Sequence, residues 1–299
     1  MTGPAPAACI RCGAGSGLIG ADRYCVRCGV RQPASRDHVE VGGGPFAGVS
    51  DRGKRHHRNE DAMGVAQTST ALVAVVCDGV SSTTAPDDAS QAAADASLLC
   101  LVTHLESGHP VDFVTAACAA QAAVLAVPFT PETGKGDPSC TLVMAVVDAG
   151  AGRVDVGWIG DSRVYWIPRN GGARCLTVDD SWAAEAVEAG ILPQVDAEAD
   201  PRAHTITRWL GADAPTIDPH TFRCDVTGPG LVLVCSDGLW NYASGSSAMG
   251  RLLARLAPRE STPTLAVASA LVASANDAGG DDNITVVVLA VPGPPALTR

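Results

Sequence analysis

Two kinds of segment, apolar runs and Ala-rich stretches, alternate along most of this 299-residue chain. Short runs that are almost continuously Val, Leu and Ile predict strands buried on both faces, and Ala-rich stretches predict helices. Since the helices come in consecutive pairs and the strands are joined by tight turns, the pattern favours antiparallel sheets covered by helices over a doubly wound parallel sheet. The predicted strands are 71–77, 140–147, 153–160, 163–167, 231–235 and 284–290, and the predicted helices are about 86–105, 111–127, 179–190, 247–257 and 263–276.

Composition and charge narrow the classes of function. Apolar residues make up 46% of the chain and aromatic residues 4%, so a large core is feasible and must be built mainly from Ala, Val and Leu. The formal net charge of -11 disfavours binding to nucleic acid or to anionic lipid. The longest apolar runs, such as 284–291, are too short to span a bilayer, so we expect no membrane association.

Four of the eleven cysteines form two CxxC pairs near the start of the sequence. This spacing predicts a tetrahedral structural zinc site, with Gly13 and Gly29 supplying the positive φ that each knuckle turn favours. Two disulfides are the alternative. The opening MTGPAPAAC lacks the features of a signal peptide, which favours a reducing, cytoplasmic location and therefore zinc. The four predicted zinc ligands are Cys9, Cys12, Cys25 and Cys28.

The composition also shifts along the chain, which suggests domain boundaries. Residues 1–40 carry five arginines against three acidic residues, whereas the remainder has a net charge of -13. We expect a zinc-ribbon-like segment at 1–40, a Gly-rich linker at 41–45, a catalytic domain at 46–292 and a tail at 293–299. The seven other cysteines lie mostly in apolar stretches, which is typical of core packing.

Acidic residues occupy the ends of several predicted strands. Asp78, Asp161 and Asp237 each follow an apolar run, and a carboxylate in that position is held at the rim of a sheet. Any one of them is typical of a turn or a cap, but converging carboxylates would repel each other unless cations lay between them. Oxygen-only ligands favour Mg²⁺ or Mn²⁺. Further acids of this kind are Asp282, before the last strand, and the pair Glu60 and Asp61.

An ordered set of motifs then resembles one family, the metal-dependent type 2C serine/threonine protein phosphatases, in their bacterial form. Each motif is short, but eight of them occur in family order between residues 50 and 290. They are Ser50-Asp-Arg-Gly53 with Asn59-Glu-Asp-Ala62, Val75-Val-Cys-Asp-Gly79, Ser139-Cys-Thr141, Gly160-Asp-Ser-Arg163, Leu176-Thr-Val-Asp-Asp-Ser181, Ile206-Thr-Arg-Trp-Leu-Gly211, Cys235-Ser-Asp-Gly-Leu239 and Gly280-Asp-Asp-Asn-Ile-Thr285.

The resemblance implies an α+β fold, a four-layer α-β-β-α sandwich of two antiparallel sheets flanked by helices, with two metal ions at one edge. Two cations lower the pKa of a bridging water, and the hydroxide attacks phosphorus in line. By the motifs that match, the resemblance implies that Asp78 bridges both ions. Glu60 and the Gly79 carbonyl would bind the first ion, and Asp237 and Asp282 would bind the second. Asp61 would hold metal-bound waters, and Asp161 with Asp237 would hold a third, weaker ion.

This sequence departs from the family pattern near the predicted phosphate site. His56 occupies the position of the usual phosphate-binding arginine, which predicts a weaker phosphate contact, aided by Arg55 or Arg58; solvated loop charges are the alternative. Residues 80–82 lack the histidine of eukaryotic members, so a protein general acid is not evident, and Asp180 replaces another usual histidine.

The sequence therefore predicts a Mn²⁺- or Mg²⁺-dependent enzyme that hydrolyses phosphoserine and phosphothreonine on proteins, such as the targets of a Ser/Thr kinase. The zinc ribbon would dock a protein. One alternative is a weakly active or inactive scaffold, but every metal-ligand position is present. Another is a zinc-ribbon nucleic-acid binder, which the acidic catalytic domain disfavours.

Overall fold

A computed structural model describes residues 8–20, 22–169, 171–257 and 262–292, so the predicted tail at 293–299 lies outside the described residues. The strands are β1 (His38–Gly43), β2 (Phe46–Asp51), β3 (Ala62–Gln67), β4 (Leu72–Cys77), β5 (Ser139–Cys140), β6 (Leu142–Asp148), β7 (Arg153–Ile159), β8 (Arg163–Pro168), β9 (Arg174–Cys175), β10 (Leu210–Gly211), β11 (His220–Asp225), β12 (Gly230–Cys235) and β13 (Ile284–Val291). The α-helices are α1 (Pro86–Glu106), α2 (Phe113–Leu125), α3 (Trp182–Glu188), α4 (Gln194–Glu198), α5 (Asp237–Trp240), α6 (Ser246–Leu256) and α7 (Thr264–Ala278).

Two antiparallel sheets form the centre of the molecule. One has the strand order β1-β2-β13-β12-β8-β9, and the other has the order β11-β7-β6-β4-β3. A separate pair joins β10 to β5. The apolar runs read from the sequence become the central strands of the two sheets, where both faces are covered, as expected of strands without polar alternation.

Three apolar clusters define the layers. One lies between the two sheets and brings residues such as Val76 and Ala145 together with Val287. A second packs α1 and α2 against the outer face of the five-stranded sheet, and a third packs α5, α6 and α7 against the six-stranded sheet. Alanine lines the buried faces of α1 and α2, so these helices can approach the sheet closely. The predicted four-layer α-β-β-α sandwich is confirmed.

The segment predicted as a Gly-rich linker has a different structure. Residues 38–43 form the edge strand β1, which pairs with β2 from His38 opposite Asp51 to Gly43 opposite Phe46. Glycine at 42 and 43 takes φ of 87° and 145° and carries the chain into the turn before β2. The six-stranded sheet therefore begins at His38, before residue 46, and residues 41–43 of the predicted linker belong to β1.

A smaller apolar cluster is formed by the part of the chain between β9 and β10. It joins Ala183 and Ala186 of α3 to Ala197 of α4 and to Ala203, which follows α4, and it is separate from the three main clusters. The Arg202 guanidinium stacks on Trp182 at 3.9 Å from the ring centroid. Within the described residues, none of the helices has the combination of length and apolar character needed to cross a membrane.

Candidate active site

The acidic residues predicted at strand ends gather at one rim of the sandwich. Asp78 follows β4, Asp161 follows β7, and Asp237 begins the short helix α5 just after β12. Desolvation and the negative charges on other carboxylates at this rim raise the pKa of Asp78. The carboxylates that act on Asp78 are Asp61, Asp237, Asp282 and Asp161.

Mutual repulsion and desolvation raise the affinity of this group for protons. Desolvation, followed by the charges of Asp61 and Asp237, raises the pKa of Asp78 well above its ordinary value. Desolvation also raises the pKa of Asp61 to about 7, although a hydrogen bond from Ser236 opposes the shift. For Asp237, desolvation and the charge of Asp282 raise the pKa to about 6. The buried carboxylates are therefore poorly tolerated as bare anions, and they favour a bound proton or a bound cation.

The donor set fits hard divalent cations. Asp61 Oδ1 and Asp237 Oδ1 are both buried and have no hydrogen-bond partner in the described part of the chain. A buried carboxylate oxygen without a partner is costly, and a bound cation removes that cost. Because the donors are oxygens, the chemistry fits Mg²⁺ or Mn²⁺ better than zinc.

Polar residues that the sequence analysis did not single out fix the loop of Glu60 and Asp61. Ser236 Oγ donates to Asp61 Oδ2 at 2.7 Å. The Glu60 N–H donates to Asn283 Oδ1 at 2.7 Å, and the side-chain amide of Asn283 donates to the Arg58 carbonyl at 3.0 Å. Both partners lie within family motifs quoted above, and this position inside a motif was the one signal that pointed to them.

The turn at Asp78 and Gly79 depends on close backbone packing. The Asp78 N–H donates to Thr141 Oγ1 at 3.1 Å, and the Gly79 N–H donates to the Glu60 carbonyl at 3.1 Å. A Cβ on Gly79 would lie 2.7 Å from that carbonyl oxygen and 2.5 Å from the Pro86 carbonyl oxygen. Only glycine fits there, and Asp78 is thereby held beside Glu60. Ser81 also donates a hydrogen bond to Glu60.

Asp161 is held from two sides. The Trp240 indole N–H donates to its backbone carbonyl at 2.9 Å, and Arg163 stacks over Trp240 at 3.6 Å. Asp180 accepts a hydrogen bond from the Gly160 N–H at 2.8 Å through Oδ2. Desolvation and the charge of Asp237 raise the pKa of Asp161 well above its ordinary value. Asp180, which replaces the usual histidine, is thus a buried acceptor next to this acidic group.

The basic loop before Glu60 faces carboxylates. His56 Nε2 lies 3.1 Å from Asp282 Oδ1, and Arg55 pairs with Asp281 at 2.6 Å. Arg58 bridges Glu60 at 2.9 Å and Asp87 at 3.2 Å. His56 is therefore at the rim of the acidic site, next to the predicted metal ligand Asp282.

The four N-terminal cysteines converge on one point. Cys9 Sγ lies 3.6 Å from Cys28 Sγ, and Cys12 Sγ lies 3.7 Å from Cys25 Sγ. A zinc tetrahedron with Zn–S bonds of about 2.3 Å has S–S edges of about 3.8 Å. Among the described residues, this is the one group of three or more Cys, His, Asp or Glu side chains whose ligand atoms all lie within 4.8 Å of one another.

The knuckle turns have the backbone that the sequence predicted. Gly13 and Gly29 take φ of 68° and 71°, and their N–H groups donate to the carbonyls of Cys9 and Cys25 at 2.9 and 2.8 Å. Gln32 is fully buried and donates to Cys9 Sγ at 3.3 Å. A hydrogen bond from the Cys12 backbone lowers the pKa of Cys9 to about 6. For Cys28, a backbone hydrogen bond from Val30 lowers the pKa, but desolvation and the hydrogen bond with Cys9 raise it, and the net shift is upward.

A sandwich of this topology with carboxylates gathered at one rim is typical of metal-dependent phosphatases, and comparison with known proteins shows the same class. The family model described as Protein phosphatase 2C matches residues 50–273. The serine/threonine phosphatase stp of Listeria innocua is 30% identical over 248 residues, which is 80% of this chain and 93% of that protein. The serine/threonine protein phosphatase PstP of Mycobacterium tuberculosis is 29% identical over 81% of this chain and 44% of its own length.

Solved structures of bacterial phosphatases share the fold of this chain. The PPM Ser-Thr phosphatase MsPP of Mycobacterium smegmatis, in complex with cacodylate, superposes with a TM-score of 0.61 at 28% identity, covering 83% of this chain and 99% of that one. The serine/threonine phosphatase Stp1 of Staphylococcus aureus, at 24% identity and a TM-score of 0.68, shares the fold over 86% of this chain and 98% of its own. The chain belongs to the protein phosphatase 2C family and is a metal-dependent serine/threonine phosphatase.

Proposed function

We propose that this enzyme removes phosphate from phosphoserine and phosphothreonine on proteins with the aid of two Mg²⁺ or Mn²⁺ ions, and that a third ion binds at Asp161. The observation that carries the proposal is the convergence of carboxylates at one rim, where two buried oxygens lack a partner among the described residues. The residues that would hold the ions are Asp78 between both, Glu60 and the Gly79 carbonyl on one side, Asp237 and Asp282 on the other, and Asp161 with Asp237 for the third.

When bound, the ions supply positive charge that lowers the pKa of nearby water and offsets charge on the phosphoryl oxygens. The protein's own residues then have two tasks. Asp78 is held by Thr141 and Asp61 by Ser236, which fixes the ligands before substrate arrives. His56, at the rim, would donate a hydrogen bond to the substrate phosphate in place of its contact with Asp282.

Hydrolysis of a phosphothreonine peptide tests this proposal. We expect Mn²⁺-dependent release of phosphate that excess chelator abolishes, and a loss of at least about 100-fold in kcat for Asp78→Ala and Asp237→Ala. Asp213→Ala, which removes an exposed carboxylate that accepts from the Trp209 indole at 2.9 Å, is the matched control and should retain activity. Full activity in the Asp78 and Asp237 variants would refute the metal assignment. A wild-type chain that binds phosphopeptide without hydrolysing it would indicate the scaffold alternative.

We also propose that Cys9, Cys12, Cys25 and Cys28 bind one structural zinc ion. The near-tetrahedral sulfur spacing and the hydrogen bond from Gln32 to Cys9 support this assignment. So short a segment has little core of its own, and metal binding would supply its folding free energy. A zinc-thiolate site is typical of a reducing compartment, so we place the enzyme in the cytoplasm.

The zinc ribbon has a surface suited to a protein partner. Ile10 and Val26 occupy equivalent positions in the two knuckles, and 64% and 72% of their surfaces are exposed. Exposed arginines follow them at Arg11 and Arg27. Apolar side chains beside arginine are typical of protein interfaces, so we propose that this face docks a phosphorylated substrate or its kinase.

A further inference from the structure

The N-terminal segment contacts the loop that carries the predicted metal ligands. Arg36 lies in the 3-10 turn Ser35–Asp37, just before β1 and outside the region that the family model matches. Its guanidinium donates to the Asp87 carbonyl at 2.9 Å and to the Asp61 carbonyl at 3.4 Å. In return, its own carbonyl accepts from Asn59 Nδ2 at 3.0 Å. One residue thus ties the loop to the first turn of α1.

The turn that holds Arg36 is itself well anchored. Asp37 pairs with Arg31 at 2.8 Å and accepts from the Ala34 N–H at 2.9 Å, and its carbonyl accepts from the Arg52 N–H at 2.8 Å. Desolvation alone would raise the pKa of Asp37, but the hydrogen bond from Arg31 lowers it, and the net shift is downward. Because this turn is anchored at both ends, Arg36 has little freedom to leave the loop.

The cysteine ribbon touches the same loop from its other end. Tyr24 Oη lies 2.6 Å from His57 Nδ1, and the two rings meet edge to face at 6.1 Å. Tyr24 precedes the zinc ligand Cys25, and its backbone pairs with Arg31. The neighbouring His56 contacts Asp282. The segment 24–36 therefore contacts both the phosphate end and the metal end of the loop 56–61.

We infer that the N-terminal segment is a positioning element of the active site, with Arg36 and Tyr24 as its positioning residues. The inference rests on the proposed metal function of Glu60 and Asp61. Arg36 fixes the backbone of the metal-ligand loop, as outer partners of metal ligands commonly do. Tyr24 fixes the loop that presents His56. A catalytic domain of this family without such a segment must hold the same loop by other contacts.

Direct Mn²⁺ binding, measured by calorimetry on the full-length protein, separates this inference from the proposed function. We expect Arg36→Met to raise the Mn²⁺ dissociation constant about tenfold, because outer-shell partners of metal ligands typically contribute about 10- to 100-fold to affinity. Arg251→Met is the matched control, since it removes an exposed arginine of α6, and it should change the constant less than twofold. If Arg36→Met binds Mn²⁺ like the wild type while Asp78→Ala has lost it, the inference fails and the proposed function stands.

Two further measurements guard against a purely structural effect. If Arg36→Met does not fold, Arg36→Gln keeps an N–H donor on a side chain that is too short to reach both carbonyls, and we expect it to weaken Mn²⁺ binding several-fold; unchanged binding would overturn the role of Arg36. Tyr24→Phe keeps the ring and removes the hydroxyl. It should raise KM for a phosphopeptide several-fold with kcat within twofold, and an unchanged KM would overturn the role of Tyr24.

Discussion

His56 is the residue at which this sequence departs from the family pattern near the predicted phosphate site. Its imidazole reaches Asp282 at 3.1 Å at the rim of the acidic cluster, where family members usually carry arginine. An imidazole offers a single donor there, whereas a guanidinium can bind two phosphate oxygens at once. This protein should therefore bind phosphorylated substrates less tightly than an arginine-bearing variant.

His56→Arg tests that interpretation. We expect KM for a phosphothreonine peptide to fall about three- to tenfold, or about 0.7 to 1.4 kcal/mol, the usual net contribution of one added hydrogen bond, with a smaller change in kcat. His109→Arg, an exposed histidine beyond α1, controls for added charge. Steady-state kinetics at fixed Mn²⁺ measures both constants. Equal KM values for the wild type and His56→Arg would show that His56 does not face the phosphate.

Single residues differed in how well their sequence context predicted them. The positive φ of Gly13 and Gly29 followed from their place after a CxxC pair, and the structure confirms it. The role of Arg36 had no such signal, because its partners are backbone carbonyls 25 and 51 residues away. A contact with a carbonyl leaves no pattern of residue types in the sequence.

At the scale of elements, apolar runs were the reliable signal. The buried strands β4, β6 and β13 and the helix α1 all lie within a few residues of their predicted bounds. The strand β1 was missed because its sequence, HVEVGG, contains two glycines and its side chains are mostly exposed. Its stability comes from pairing with β2, a tertiary effect that local propensity does not report.

The ribbon gives a prediction at this scale. Cys25→Ser removes one ligand of the proposed zinc site, so we expect the purified protein to lose its zinc and the ribbon to unfold, because metal binding supplies its folding free energy. Metal analysis counts zinc per chain, and proteolysis reports unfolding of the segment before β1. The exposed Cys118, changed to Ser, is the control and should retain one zinc. One zinc per chain in Cys25→Ser would contradict the assignment.

At the scale of the whole molecule, the family motifs predicted the layers, and the convergence of the strand ends explains the site. Acidic residues from positions 61 to 282 meet at one rim because β4, β7, β12 and β13 all begin or end there. Their separation in sequence is why spacing alone gave no metal motif for them. Motif order, rather than spacing, carried that part of the prediction.

The charge gathered at the rim makes stability depend on pH when metal is removed. In the chelated protein, desolvation raises the pKa of Asp61 to about 7 and that of Asp237 to about 6, both from 3.8. Between about pH 4 and 7 the folded chain keeps protons that the unfolded chain has released, so stability falls as pH rises. We therefore expect the free energy of unfolding to fall as pH rises through this window.

Thermal unfolding in excess chelator at several pH values measures this loss. Asp61→Asn in the same chelator is the matched control, since both proteins lose zinc equally, and it should show a shallower dependence on pH. Added Mn²⁺ should flatten the dependence of the wild type, because bound cations keep the carboxylates ionised in the folded state. Identical slopes for the wild type and Asp61→Asn in chelator would show that the buried Asp61 does not carry this penalty.

The most direct test of the account is anomalous diffraction from crystals of the full-length protein grown with Mn²⁺. Data collected at the manganese and zinc absorption edges distinguish the two metals. We expect two manganese peaks between Asp78 and its neighbours Glu60, Asp237 and Asp282, a third and weaker manganese peak beside Asp161, and one zinc peak among the four cysteine sulfurs. A catalytically active crystal with no manganese peak at these carboxylates would contradict it.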